Sequence, residues 1–181
     1  MARNAKRRIL DGALNLLRAE GGGSITLDAA AKEVGLTKPG LMYHFPTKEA
    51  LMLAVVDHVG DRWERMLLDR LGQPPQTASP YQRMRAYVEV ALDAPFDRAD
   101  FAIYSDAHYR TALTDTWVRR MEPWVALPDT LPDAARARLT AARLLADGYW
   151  TAAATGVFPV PDRDCAPLLG VAEELLKDEA P

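Results

Sequence analysis

Cysteine is nearly absent from these 181 residues: Cys165 stands alone, so no disulfide can form within the chain, and a reducing cytoplasm is the expected setting. Histidine is scarce as well. His44, His58 and His108 sit in unrelated settings, and no spacing typical of a metal site occurs. The chain has no glycine-rich phosphate loop and no nucleophile elbow, so neither an enzyme nor a cofactor is expected. No run approaches the roughly 18 uncharged apolar residues of a membrane span, and none is expected. The opening MARNAKRRIL is basic, but Asp11, Arg18 and Glu20 interrupt what would be the apolar part of a signal peptide. Alternating strand patterns and internal repeats are also missing. What is present is an ordinary globular composition, 49% apolar and 26% charged.

The net charge of −3 is unevenly spread. Residues 1–48 carry eight Lys/Arg and four acids, a balance of +4, whereas the other 133 residues carry 14 basic and 21 acidic groups, a balance of −7. A basic front on an acidic body suggests that only the front meets a polyanion. An uneven solvated surface is the plain alternative.

Helical spacing dominates. Ile9, Leu10, Ala13, Leu14, Leu16 and Leu17 recur at helical intervals over 4–18, and Gly21–Gly23 end that helix. Ser24 or Thr26 can cap the next, whose stripe is Leu27, Ala30, Ala31 and Val34. Gly35 stops it. Thr37 caps a third helix of two turns, in which Pro39 costs little because the first turn has no intrahelical N–H bond to lose. His44-Phe45-Pro46 breaks it, and Thr47 caps a long fourth helix to about Leu71. The punctuation is that of a helix-turn-helix.

Prolines mark the joints beyond. GQPPQTASP (72–80) and VALPDTLPD (125–133) read as connectors, with helices expected over 81–93, 97–107, 111–124, 134–155 and 164–178. The fold expected is all-α with about nine helices. It has a helix-turn-helix head at 1–47 and, entered through the fourth helix, a larger helical domain at 48–181.

A two-turn helix cannot stand alone in water, so it must be propped on one side and free to touch on the other. Leu36, Leu41 and Phe45 are expected to anchor inward, leaving Thr37, Lys38, Gly40, Met42, Tyr43 and His44 outward. A helix N-terminus with a cap hydroxyl and Lys38 suits a phosphate or a guanine edge, and Tyr43 and His44 can bond phosphate oxygens from the far end. Lys48 opposes the dipole of the helix it starts, by roughly 0.3–1 kcal/mol, which a neighbouring anion would relieve.

The segment ITLDAAAKEVGLTKPGLMYHFPTKEAL resembles the DNA-binding signature of the TetR/AcrR family of bacterial transcriptional regulators, through Thr26, the AA before Val34-Gly35, Tyr43-His44-Phe45 and Lys48-Glu49-Ala50-Leu51. The resemblance covers the first 50–55 residues. It implies a DNA-binding domain at 1–47, a ligand-binding and dimerisation domain at 48–181, and a homodimer on a palindromic double-stranded operator, acting by default as a repressor. The positions matching Thr37, Lys38, Pro39, Gly40 and Met42 would read bases, and those matching Thr26, Tyr43, His44 and Lys48 would hold phosphates. Pro39 departs from the Gly, Ala or Ser common there and removes one N–H donor.

For the rest of the chain the candidate ligand-binding residues are Trp63, Met66, Tyr87, Asp93, Phe96, Phe101, Tyr104, Trp117, Met121, Asp147 and Trp150. Most aromatics at helical spacing are core. Aromatic faces with interspersed carboxylates nevertheless favour a large lipophilic cation, through attraction of about 0.5–2 kcal/mol per contact. Asp147 has a second reading, an i, i+4 pair with Arg143. ADGYW (146–150) also resembles an element of drug-responsive family members, which implies a cationic, drug-like ligand and control of a multidrug efflux gene. A neutral lipophile, such as a fatty acyl group or an aromatic metabolite, is the alternative. In the last two helices, Ala142, Ala146, Ala152–Ala154, Gly148 and Gly156 allow close approach, and Cys165, Leu168, Leu169, Ala172, Leu175 and Leu176 form an apolar stripe. These faces either build a homodimer, as the family resemblance implies, or pack only within one protomer.

Overall fold

Threonine and glycine punctuate the first half of the chain, proline the second. The protein's computed structural model describes residues 2–19, 25–93, 97, 99, 100, 102 and 106–177. Among them the regular structure is eight α-helices and a 3-10 turn at Pro75–Thr77, without a strand. The helices are α1 (Ala2–Ala19), α2 (Leu27–Glu33), α3 (Lys38–Met42), α4 (Lys48–Leu71), α5 (Pro80–Asp93), α6 (Arg110–Val125), α7 (Asp133–Thr155) and α8 (Asp162–Leu175). The expected all-α architecture is present. Its helix count is eight among the described residues rather than about nine. Ala99, Asp100 and Ala102 adopt 3-10 geometry where a helix over 97–107 was expected, and much of that stretch, like Gly21–Gly23 and Ser24, lies outside the described residues.

The chain divides into two compact units, Met1–Arg62 with Asp97–Arg120, and Trp63–Phe96 with Met121–Pro181. In the first, α2 packs on both α1 and α3. Ile9, Ala13, Leu14 and Leu17 of α1, Ala30 and Ala31 of α2, Leu41 of α3, and Leu51, Met52, Val55, Val56 and Val59 of α4 are buried. Gly12 lets α1 come close: a Cβ there would lie 2.4 Å from Val34 Cγ1. The five-residue α3 is too short to persist alone. Burial of Leu41 and of Phe45, just beyond its end, supplies about 1.5–3 kcal/mol each. Leu36 corrects the expectation that it anchors inward, since it is 36% exposed. Its backbone explains this. The Leu36 N–H donates to Ala31 O at 2.8 Å and the Gly35 N–H to Lys32 O at 3.1 Å, with Gly35 at φ +69°. Leu36 thus closes the C-terminal turn of α2, ahead of the Thr37 cap, instead of lying on α3.

In the second unit, α5 packs against α7 and α8, and α7 against α8. Met84, Tyr87, Val88 and Ala91 are buried, as are Leu139, Ala142 and Ala146 of α7 and Ala172 of α8. The small α7 residues permit close helix approach. Arg138 reaches the end of α8 and donates to the Glu174, Leu175 and Lys177 carbonyls at 2.9, 3.2 and 2.8 Å. The Leu175 carbonyl is among the acceptors that a helix end leaves without intrahelical partners. α7 ends at Gly156, which takes the left-handed conformation at φ +69°.

Candidate nucleic-acid interface and aromatic site

The interface begins with caps. The Thr26, Thr37 and Thr47 hydroxyls accept the Ala29, Gly40 and Ala50 N–H groups at 3.1, 3.2 and 3.0 Å, fixing the starts of α2, α3 and α4. Pro39 follows Lys38 in the first turn of α3, where its missing N–H goes unneeded. With Leu41 buried, the other side of this short helix is left open: Met42 is 39% and Tyr43 85% exposed. Tyr43 and His44 meet edge to face, ring centres 5.2 Å apart. Lys6 Nζ lies 5.8 Å from the centre of the Phe45 ring and so ties α1 to the residue that ends the α3 segment.

Two cations of this surface carry intramolecular partners far off in sequence. Lys38 Nζ is 2.8 Å from Asp28 Oδ2, joining α3 to α2. Lys48 Nζ is 2.7 Å from Asp106 Oδ2, so the anion that its position calls for is supplied by the protein itself. Asp97 and Asp100 extend the pattern. Asp97 accepts from Arg18 at 2.7 and 3.0 Å and also pairs with Arg62, which bonds Asp100 too. Burial works to raise the Asp97 pKa, but hydrogen bonds from Arg18, the Ala99 N–H and Arg62 overcome it, holding the carboxyl well below the usual carboxylate range. Nothing in the local sequence marks Asp106 or Asp97 as partners of the basic front; the chain separations are too long for periodicity to show them.

All nine residues expected to meet DNA, Thr26, Thr37, Lys38, Pro39, Gly40, Met42, Tyr43, His44 and Lys48, fall in the first unit. Of the ligand candidates, four come together in the second. The Trp63 ring centre is 6.0 Å from Tyr87 and 6.2 Å from Trp150, the latter edge to face. The Tyr87 hydroxyl donates to Asp147 Oδ1 at 2.7 Å, and Arg143 Nη1 donates to Oδ2 at 2.6 Å. Met66 is half-buried and Met121 buried in the same unit. Asp93 is exposed at the end of α5 and paired with Arg70 at 2.9 Å. Trp117 belongs to the first unit, since α6 divides between Arg120 and Met121. Phe96, Phe101 and Tyr104 lie outside the described residues. Among the described residues no group of His, Cys and acids is arranged to hold a metal ion, and no helix is long and apolar enough to cross a membrane.

Similarity to known proteins agrees with this geometry. The chain is 28% identical over 139 residues to the HTH-type transcriptional regulator EthR of Mycobacterium tuberculosis, a match spanning 76% of this chain and 64% of that one. It is 30% identical over 92 residues to the HTH-type transcriptional regulator RutR of Escherichia coli, spanning 51% and 42%. The chain thus matches less than two thirds of the length of these relatives. Its fold is similar to the crystal structure of a TetR-family transcriptional regulator from Rhodococcus sp., with TM-score 0.70, 18% identity, and 95% and 98% of the two chains covered. It is also similar to the multidrug binding protein EbrR complexed with imidazole, with TM-score 0.65, 21% identity and 97% and 96% coverage. Residues 9–55 match the tetR family of bacterial regulatory proteins and residues 82–177 the tetracyclin repressor-like C-terminal domain, and the chain therefore belongs to the TetR family.

Proposed function

We propose that the chain is a transcriptional repressor which binds a palindromic operator as a homodimer and releases it on binding a lipophilic compound. The observation that carries this reading is α3: five residues, threonine-capped, buried through Leu41, with Met42 and Tyr43 left outward beside Lys38. A helix so built has its N-terminal turn ready for base edges and phosphates. Residues 1–47 serve as the DNA-binding domain in this reading and 48–181 as the ligand-binding and dimerisation domain. Within that domain, Leu144 of α7 is 56% and Val171 of α8 55% exposed, and Cys165, Leu168, Leu169 and Leu175 are half-buried in the single protomer. Apolar side chains left open on these two helices suit a partner copy, which two half-sites require.

The Trp63, Tyr87 and Trp150 cluster supports a flat or greasy ligand. Two classes compete. A cationic drug-like ligand would draw on these rings and on Asp147, and would fit control of an efflux gene; EbrR is described as a multidrug binding protein. Yet both Asp147 oxygens already accept a hydrogen bond, one of them from the Arg143 cation, so an incoming cation would meet a carboxylate whose charge is already offset. That pair favours the second class, a neutral lipophile such as a fatty acyl or aromatic compound.

Release would run through α4, which starts at Lys48 and carries Trp63 about 22 Å further along its axis. A hundredfold loss of operator affinity needs only about 2.7 kcal/mol of differential ligand binding, and the coupling is reciprocal. The test titrates the protein's tryptophan fluorescence with a cationic dye and with a fatty acyl compound, in parallel with displacement from a duplex of its own upstream DNA. Displacement by the acyl compound alone supports the neutral class; displacement by the dye alone supports the cationic class; displacement by neither leaves no basis for a ligand-released repressor.

A further inference from the structure

Lys48 has two possible anionic partners, a phosphate of DNA and a carboxylate of its own chain, and the second already holds it. Nζ is 2.7 Å from Asp106 Oδ2, with the lysine side chain still 28% exposed and the aspartate only 11% exposed. The carboxylate is set in place: its other oxygen, Oδ1, accepts the His108 N–H at 2.9 Å. Asp106 is also not an isolated acid. Asp97 and Asp100, a few residues upstream, take Arg18 and Arg62 in the same unit, so one short acidic stretch engages three cations of the first unit.

We infer that Asp106 is an intramolecular competitor for DNA phosphate, holding the affinity of the DNA-binding surface below what its lysine could deliver. The inference rests on the DNA-binding reading above. An ammonium held by a carboxylate must give up that contact, or share it, to neutralise a phosphate. Because phosphate contacts carry no sequence information, the competition lowers binding to all duplexes alike.

The test uses the full chain, a duplex taken from immediately upstream of its own coding sequence, and a scrambled duplex of equal length, read by fluorescence anisotropy at low salt. Asp106→Asn keeps an acceptor for the His108 N–H while removing the charge, and it should bind both duplexes about tenfold tighter, the effect of one more ammonium freed to neutralise a phosphate. Lys48→Met should then cost more in the Asp106→Asn background than in the wild type, and should reduce the gain from Asp106→Asn to less than about twofold. Should Asp106→Asn fail to fold by circular dichroism, Asp106→Ser, whose hydroxyl can also accept the His108 N–H, takes its place with the same expectation. Unchanged or weaker binding by the neutral variant would show that Asp106 only positions Lys48. A gain that survives Lys48→Met would show a general charge effect. Either overturns the inference while leaving DNA binding standing. A wild type that binds neither duplex overturns both.

Discussion

Arg143 and Asp147 stand one turn apart on α7 with their charged groups 2.6 Å from each other, and the Tyr87 hydroxyl of α5 completes the carboxylate at 2.7 Å. The arrangement spares a partly buried acid the cost of standing without a partner. Tyr87→Phe, which removes a hydrogen bond to a charged acceptor, should lower stability by about 1 kcal/mol. Asp147→Asn, which loses a pair still about one-third exposed, should cost about 0.5 kcal/mol. Urea denaturation of each variant gives both numbers.

Acid stability should depend on Asp97. Its folded pKa lies below its unfolded one, so the stabilisation it brings is fully present above the unfolded value and is lost as pH falls toward the folded one. The melting-temperature gap between the wild type and Asp97→Asn should therefore be constant from neutral pH down to about pH 5 and narrow below about pH 4. Thermal melts across that range check the sign; a gap that widens on acidification would contradict it.

Two glycines should resist replacement for different reasons. A Cβ on Gly12 would sit 2.4 Å from Val34 Cγ1, a side chain with little rotamer freedom, so Gly12→Ala should destabilise by about 1–3 kcal/mol despite the helical preference for alanine. Gly35→Ala meets open space but must hold φ at +69°, and should cost about 1 kcal/mol from strain alone. Restoring room by combining Gly12→Ala with Val34→Ala should recover part of the first loss and none of the second.

Duplex binding should be steeply salt-dependent, falling about a thousandfold between roughly 50 and 200 mM salt if some six phosphates are neutralised. Tyr43→Phe, assigned to a phosphate, should weaken binding to specific and scrambled duplexes equally, by about 0.5–1.5 kcal/mol. Met42→Ala, assigned to a base, should lower their ratio instead. Competition assays with the two duplexes separate the effects.

Local chemistry made much of this molecule legible in its sequence. Thr37 and Thr47 each read as a cap and each caps a helix, and of Ser24 and Thr26 it is Thr26 that caps α2; Gly35 reads as a stop and takes the positive φ that stops α2. The connectors around Pro74 and Pro128 fall between helices as their prolines require. The Arg143–Asp147 pair was readable because one helical turn is a short-range rule. Lys48 with Asp106, Arg18 with Asp97 and Lys38 with Asp28 were not, because tertiary packing alone brings them together. Leu36 was misread for a subtler reason: apolar character suggested an inward anchor, but the turn that spends its N–H on Ala31 leaves the side chain partly exposed.

The most direct measurement combines sedimentation with anisotropy on the duplex upstream of the protein's own coding sequence. The protein should be a dimer in free solution with two protomers bound per palindromic site, displaced by salt and only weakly by a scrambled duplex. A monomer that ignores both duplexes at low salt would contradict it.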